Sequence, residues 1–192
     1  MTFDQIDFFM SCAACLNFSL AAKYHFVSVS TLSRSISAIE DELGVKLFER
    51  GYHGHKLTEA GRDFFDCCIN NSIELNKYLI KWSKHSREFI HIGCHPYEPT
   101  FEKIINAYYK APSDYLPKKI KLYFIPEGKM LTALEEGYIN LAIEESSNVH
   151  HGEEYKSSFF FKEDDKEYSF CFRKDFDDSI AAKLLRLGAF LK

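Results

Sequence analysis

The chain has 192 residues, 46% of them hydrophobic and 27% charged, enough for one large domain or two small ones with cores of their own. No apolar run approaches the roughly 18 residues that span a bilayer, and Asp4 and Asp7 ahead of Phe8 and Phe9 differ from the basic lead of a secretion signal, so the sequence reads as cytoplasmic. A net charge of −4 provides no bulk attraction for nucleic acid, so binding of that kind has to arise from local patterning.

From Phe3 to Leu16 apolar residues recur at helical spacing, and Asn17-Phe18-Ser19 interrupts the run with residues suited to capping. Ser19 to Tyr24 predicts a short second helix whose Ala21-Ala22 pair permits close approach of another helix. His25-Phe26-Val27 then supplies the turn of a helix-turn-helix. Ser28 caps a third helix in which Leu32, Ile36, Ile39 and Leu43 form a buried stripe, with Gly44 at its C-terminal stop. The opposite side carries Ser30, Arg34 and Ser37, flanked by Thr31 and Ser33. These hydroxyls and one guanidinium suit a major groove, as they would also suit water.

Val45 to Phe48 and Lys56 to Thr58 frame a segment whose Gly51 and Gly54 allow a tight hairpin, a wing. Thr58 opens a long helix running to Ile80 or beyond, with Phe64, Phe65, Cys68, Ile69, Ile73, Ile80 and Trp82 as apolar contacts; such a helix needs a partner surface. A polar stretch from Ser83 to Glu88 marks a boundary. Beyond it come a strand at Phe89 to Ile92, a helix at Phe101 to Lys110, a strand at Ile120 to Ile125, a helix at Lys129 to Glu136 and a strand at Ile139 to Ile143. That alternation predicts a parallel sheet with crossover helices. Phe159-Phe160-Phe161 and Tyr168 to Phe172 read as two more strands, and Ser179 to Leu191 as a last helix.

Six cysteines, Cys12, Cys15, Cys67, Cys68, Cys94 and Cys171, fit no disulfide framework and read as reduced core thiols; Cys12-x-x-Cys15 falls on one apolar helical face with Phe8 and Phe9. No phosphate loop, nucleophile elbow or paired metal motif is present, so no catalytic residue, metal or cofactor is assigned. A fortuitous metal site is conceivable near His91, Cys94 and His95, or at His150-His151 with Glu144, Glu145, Glu153 and Glu154.

The blocks Asn17 to Ala22, Val27-Ser28, Leu32 to Ile36, Ile39 to Arg50 and Leu57 to Gly61 resemble, in order and without a gap, the DNA-binding domain of LysR-type transcription regulators. The resemblance implies an α/β chain in three parts: a winged helix-turn-helix over residues 1–60, a linker and dimerisation helix over 58–88, and over 89–192 a shortened effector-binding domain. Within it, residues 89–145 resemble the first lobe of an effector domain like a periplasmic binding protein, including the segment Leu134 to Ile143. It further implies a homodimer or tetramer on double-stranded DNA, with Ser28 as cap, Ser30, Thr31, Ser33, Arg34 and Ser37 toward the bases, and Arg50, His53, His55 and Lys56 on the wing. Pairing would run through Phe64, Phe65, Cys68, Ile69 and Ile73, and an effector wall would lie at Gly93, Cys94, His95 and Glu127. Three departures stand out. Val29-Ser30 replaces a frequent glutamine and small residue, residues 1–61 carry five basic against seven acidic groups, and much of a second effector lobe is missing, which predicts weak coupling between small molecules and DNA. An alternative is an interaction protein that pairs with a longer relative.

Overall fold

The computed structural model describes residues 1–51, 54–82, 88–96, 99–112, 115–116, 119–126, 128–149, 152–187 and 189. They fall into two compact units, Met1–Ser72 and Ile73–Lys192.

In the first unit, α1 (Phe3–Cys15) opens on a capping box: Thr2 Oγ1 accepts from the Gln5 N–H, and the Gln5 side chain accepts from the Thr2 N–H. Leu16 ends it in the left-handed region, φ 50°. Asn17 caps α2 (Phe18–Tyr24) by accepting from the Leu20 N–H, so the helix starts one residue before the expected Ser19. Ser28 caps α3 (Val29–Leu43), and Gly44 stops it at φ 71°. Strands β1 (Phe48–Gly51) and β2 (Gly54–Leu57) pair antiparallel, with Gly51 opposite Gly54. The hairpin thus begins later than Val45, which is exposed rather than paired.

Phe9 is the hub of this core, its ring 5.7 Å from Phe48, 4.9 Å from Phe64 and 6.2 Å from Phe65. Leu32, Ile36 and Ile39 of α3 are fully buried, whereas Leu43, the last of the expected stripe, is exposed. The short connection from α3 to β1 is gripped from both sides. From α3 the buried Glu40 carboxylate accepts from the Leu47 N–H at 3.0 Å and the Phe48 N–H at 3.3 Å, and pairs with Lys46 Nζ at 2.7 Å. From the other side Thr58 donates its hydroxyl to the Lys46 carbonyl and its N–H to the Leu47 carbonyl, while Oγ1 accepts from the Gly61 N–H. A Cβ at Gly61 would stand 2.1 Å from the Leu47 oxygen, so α4 (Glu59–Trp82) can start here only with glycine.

One expectation needs correcting. Phe65, Cys68 and Ile69 do not form an open patch on α4: all three are buried within the first unit, and half-buried Phe64 tilts against Phe9. Ile73 is spoken for as well, because with Ile80 it packs against the core of the second unit. The large apolar residues of α4 left exposed are Leu75, Tyr78, Leu79 and Trp82. Among the cysteines, Cys12, Cys68, Cys94 and Cys171 are buried as expected, Cys15 is half-buried and Cys67 lies on the surface. Burial pushes Cys68 up to about 12 and Cys171 up to about 11, which keeps both as thiols.

The second unit is a mixed five-stranded sheet in the order β4-β3-β5-β7-β6: β3 (Phe89–Cys94), β4 (Lys119–Phe124), β5 (Leu141–Glu145), β6 (Tyr155–Glu163) and β7 (Lys166–Arg173). Helices α5 (Thr100–Lys110) and α6 (Met130–Glu135) lie between its first three strands in sequence, which are parallel as expected. The rest is antiparallel. Asp164 and Asp165, both at positive φ, make a two-residue turn that folds β7 back on β6, and β7 then pairs antiparallel with β5. A register shift between Phe159 and Phe161 turns the consecutive Phe160 and Phe161 both into the core and leaves Phe159 outside. Helix α7 (Asp178–Arg186) follows. Lys77 of α4 pairs with Glu136 at 2.5 Å and lies over the Tyr138 ring.

The grip on the α3 to β1 connection leads to a first prediction. Burial alone would raise the Glu40 carboxyl, but the Lys46 ammonium and the Leu47 and Phe48 N–H groups hold it below its ordinary range. Its contribution to stability is therefore complete above an unfolded value of about 4.3 and is lost as pH falls through the lower folded value. Glu40→Ala should cost about 2–4 kcal/mol in urea unfolding at pH 7, because two buried N–H groups lose their acceptor. The gap to wild type should narrow below about pH 4.

Candidate nucleic-acid interface

The face that α3 turns away from Leu32, Ile36 and Ile39 is short and polar. Ser28, Ser30, Thr31 and Arg34 are exposed, and Ser33 and Ser37 are half-buried beside them. Ser28 Oγ accepts from the Thr31 N–H and lies 2.8 Å from both Ser30 Oγ and Thr31 Oγ1, which fixes the first turn. Arg34 Nε donates to the Ser30 carbonyl at 3.3 Å, laying the side chain back along its own helix while its head stays in solvent. The six residues expected on this face are thus together.

Ahead of it, the turn between α2 and α3 is tight: Phe26 takes φ 56° and is 79% exposed, and Val27 donates its N–H to the Ala22 carbonyl. His25 is held from behind, its Nε2 2.8 Å from Ser11 Oγ.

The wing stands beside the start of α3. Lys56 is exposed on β2. His55 differs from the exposed loop histidine that its sequence context suggests. It is half-buried, its ring stacks on Phe18 at 4.1 Å and 21°, and its buried Nδ1 has no hydrogen-bond partner among the described residues. Leu16, Asn17, Phe18, Ser19, Val29, Ser33 and His55 line a groove of about 430 Å³. Sequence reasoning missed Asn17 and Phe26 as surface neighbours of this face, whereas Val29, singled out in the sequence, is exposed beside it. Arg50 belongs to β1, but its side chain, like all of His53 and Glu127, lies outside the described residues.

The expected effector wall fares differently. Gly93 and Cys94 are buried: a Cβ on Gly93 would meet Ile139 Cδ1 at 2.7 Å and Met130 Sδ at 2.8 Å, and Cys94 Sγ donates to the Tyr123 carbonyl. These two pack the core rather than face a cleft. His95 is half-buried with Nε2 3.8 Å from Glu144 Oε1, and the buried His91 Nδ1 lies 2.9 Å from the Tyr123 hydroxyl. Thr100, fully buried at the start of α5, has a hydroxyl without a partner among the described residues. Among the described residues no group of three or more metal-ligating side chains occurs, and no helix is long and apolar enough to cross a membrane.

Residues 3–62 match the family of bacterial regulatory helix-turn-helix proteins designated lysR. The chain is similar to the HTH-type transcriptional regulator TfdS of Cupriavidus pinatubonensis (strain JMP 134 / LMG 1197), with 27% identity over 150 residues, 74% of this chain and 49% of that protein. It is also similar to TfdT of the same organism, 39% identical over 66 residues, 34% of this chain and 29% of that protein. Full-length CbnR solved with its target DNA is 21% identical and covers 84% of this chain and 56% of its own, at a TM-score of 0.39. The chain spans about half or less of the length of the curated relatives it matches. The match to that family is carried by residues 3–62.

Proposed function

We propose that this chain is a cytoplasmic transcription regulator that binds double-stranded DNA as a dimer or higher oligomer at dyad-symmetric sites. The observation that carries the reading is the α3 face itself. It presents small hydroxyls and one guanidinium outward, is pinned by the Ser28 cap and the Glu40 tie, and sits in a lysR-family domain. Small side chains let the helix backbone approach a groove floor, and Arg34 can donate to a guanine edge. Lys56 on the wing supplies a phosphate contact, which sets position without reading sequence. Val29, exposed where a glutamine would read adenine, offers only a methyl contact, so the preferred site differs from that of a glutamine-bearing relative.

A second copy of the chain is the proposed partner of α4. Leu75, Tyr78, Leu79 and Trp82 recur at three- and four-residue steps, and large apolar side chains at that spacing form a seam for a like helix. Two recognition helices are then presented together, as dyad-symmetric half-sites require.

Arg34→Ala should weaken binding to a duplex recovered by selection from a random-sequence library by roughly 1–3 kcal/mol and relax its sequence preference. Lys56→Ala should weaken all duplexes alike and lower the salt slope by about one ion. Unchanged affinity in both variants would mean that the recognition surface is misplaced. Leu75→Glu with Leu79→Glu should shift sedimentation toward the monomer while circular dichroism stays native; a dimer unaffected by the pair would exclude α4 as the seam.

A further inference from the structure

Helix α4 passes from one unit to the other, since the first ends at Ser72 and the second begins at Ile73. On one side of that boundary Ile69 is buried in the first core, and on the other Ile73 packs against the core of the second unit. Asn70, Asn71 and Ser72 lie between them, and none of the three is apolar. Asn70 and Asn71 are exposed, and Ser72 is half-buried.

All three turn their side chains back on their own helix. Asn70 Nδ2 donates to the Asp66 carbonyl at 2.9 Å, Asn71 Nδ2 to the Cys67 carbonyl at 2.7 Å, and the Ser72 hydroxyl to the Ile69 carbonyl at 3.0 Å. In a helix each of those oxygens is also the acceptor for the N–H four residues on, so the side chains compete with the ladder for the same atoms, and hydroxyl bonds of this kind bend helices. Asparagine and serine are also poorer helix formers than alanine, because they hydrogen-bond nearby backbone just as well in other conformations. Helices in proteins draw most of their stability from a packed apolar face. From Asn70 to Ser72, α4 offers no apolar side chain to pack.

Resting on the proposal that the Leu75 to Trp82 face pairs two copies on dyad-symmetric DNA, we infer that α4 is jointed at Asn70–Ser72. The joint lies between the recognition helix, which belongs to the first unit, and the pairing seam, which follows it. Bending or brief opening of this one turn leaves the contacts of Ile69 and of Ile73 intact while the recognition helix reorients on the paired helices. One base pair more or fewer between half-sites moves the second by about 3.4 Å and turns it by about 35°. A joint absorbs that change; a continuous stiff helix would not.

The test compares wild type with a variant carrying Asn70→Ala, Asn71→Ala and Ser72→Ala, first by amide hydrogen exchange without DNA. Wild-type amides of residues 70–76, which include every ladder donor to the carbonyls of the joint, should exchange faster than those of 64–68 and of 77–80 on either side. The triple variant should slow them about tenfold or more, the combined helix preference of three alanines, and Asn71→Gly should speed them. Protection that falls steadily toward the end of α4 would show simple fraying and overturn the joint, as would exchange unchanged in the alanine variant. Thermal unfolding checks that each variant is folded, and the opposite directions expected of the alanine and glycine changes keep the test decisive if one of them is not.

Fluorescence anisotropy then compares a duplex recovered by selection from a random-sequence library with versions whose half-sites are one base pair closer or farther. Wild type should lose less than about threefold in affinity and the alanine variant about tenfold or more. Equal losses in the two proteins would overturn the role of the joint in spacing. Failure of wild type to bind any duplex would remove the DNA-binding reading instead, while the exchange result would still decide whether α4 is jointed.

Discussion

One buried carboxylate fixes how the chain passes from α3 into the hairpin. Glu40 lies near the end of α3 and holds two consecutive backbone N–H groups, those of Leu47 and Phe48, where the chain leaves the helix to begin the wing. Burying a carboxylate is unfavourable unless its oxygens are satisfied, and here they are, by two amides and the Lys46 ammonium. Both N–H groups would otherwise be orphaned, since Leu47 precedes the strand and Phe48 starts it. With the carboxylate in place, Phe48 enters the aromatic core around Phe9 and β2 follows within reach of Phe18, so the stack beneath His55 depends on a contact made some fifteen residues earlier in the chain. The Thr58 and Gly61 contacts close the same connection from the side of α4.

The long helix divides its apolar side chains among different tasks. Phe64, Phe65, Cys68 and Ile69 complete the first core, Ile73 and Ile80 pack against the core of the second unit, and Leu75, Tyr78, Leu79 and Trp82 remain in solvent. A helix with apolar residues on more than one face is committed on several sides at once, and a reading of its sequence cannot separate the faces without knowing which core each one meets. That is why the sequence pattern alone could not tell that Phe65, Cys68 and Ile69 are buried in the first core. The stretch holding Phe64 to Ile69 has the strongest hydrophobic pattern because it is a core, and the weaker pattern after it is the surface left over.

Local signals fared well where the physics is local. Ser28, Gly44 and the turn around Phe26 mark the helix-turn-helix directly, since caps and left-handed stops need particular residues. The first three strands of the second unit could be read from their alternation with helices. The reversal at Asp164-Asp165 was missed because two aspartates rather than the more familiar asparagine-glycine adopt the positive φ of the turn, and the bulge after Phe159 broke the period-two pattern that would have assigned the faces. Gly93 and Cys94 were assigned to a cleft because of their place at a strand end, but the side chains of Met130 and Ile139 fill that space. The packing of His55 is invisible in sequence, because it follows from ring contacts with Phe18 and Phe48.

The central claim, that α3 enters the major groove, is tested most directly by dimethyl sulfate protection of guanine N7 on a selected duplex, since that atom is reached only from the major groove. The account predicts two protected patches centred about 10 base pairs apart, or a multiple of that spacing, which disappear with Arg34→Ala at the guanine it reads. Tight, sequence-selective binding that leaves every N7 reactive would contradict it.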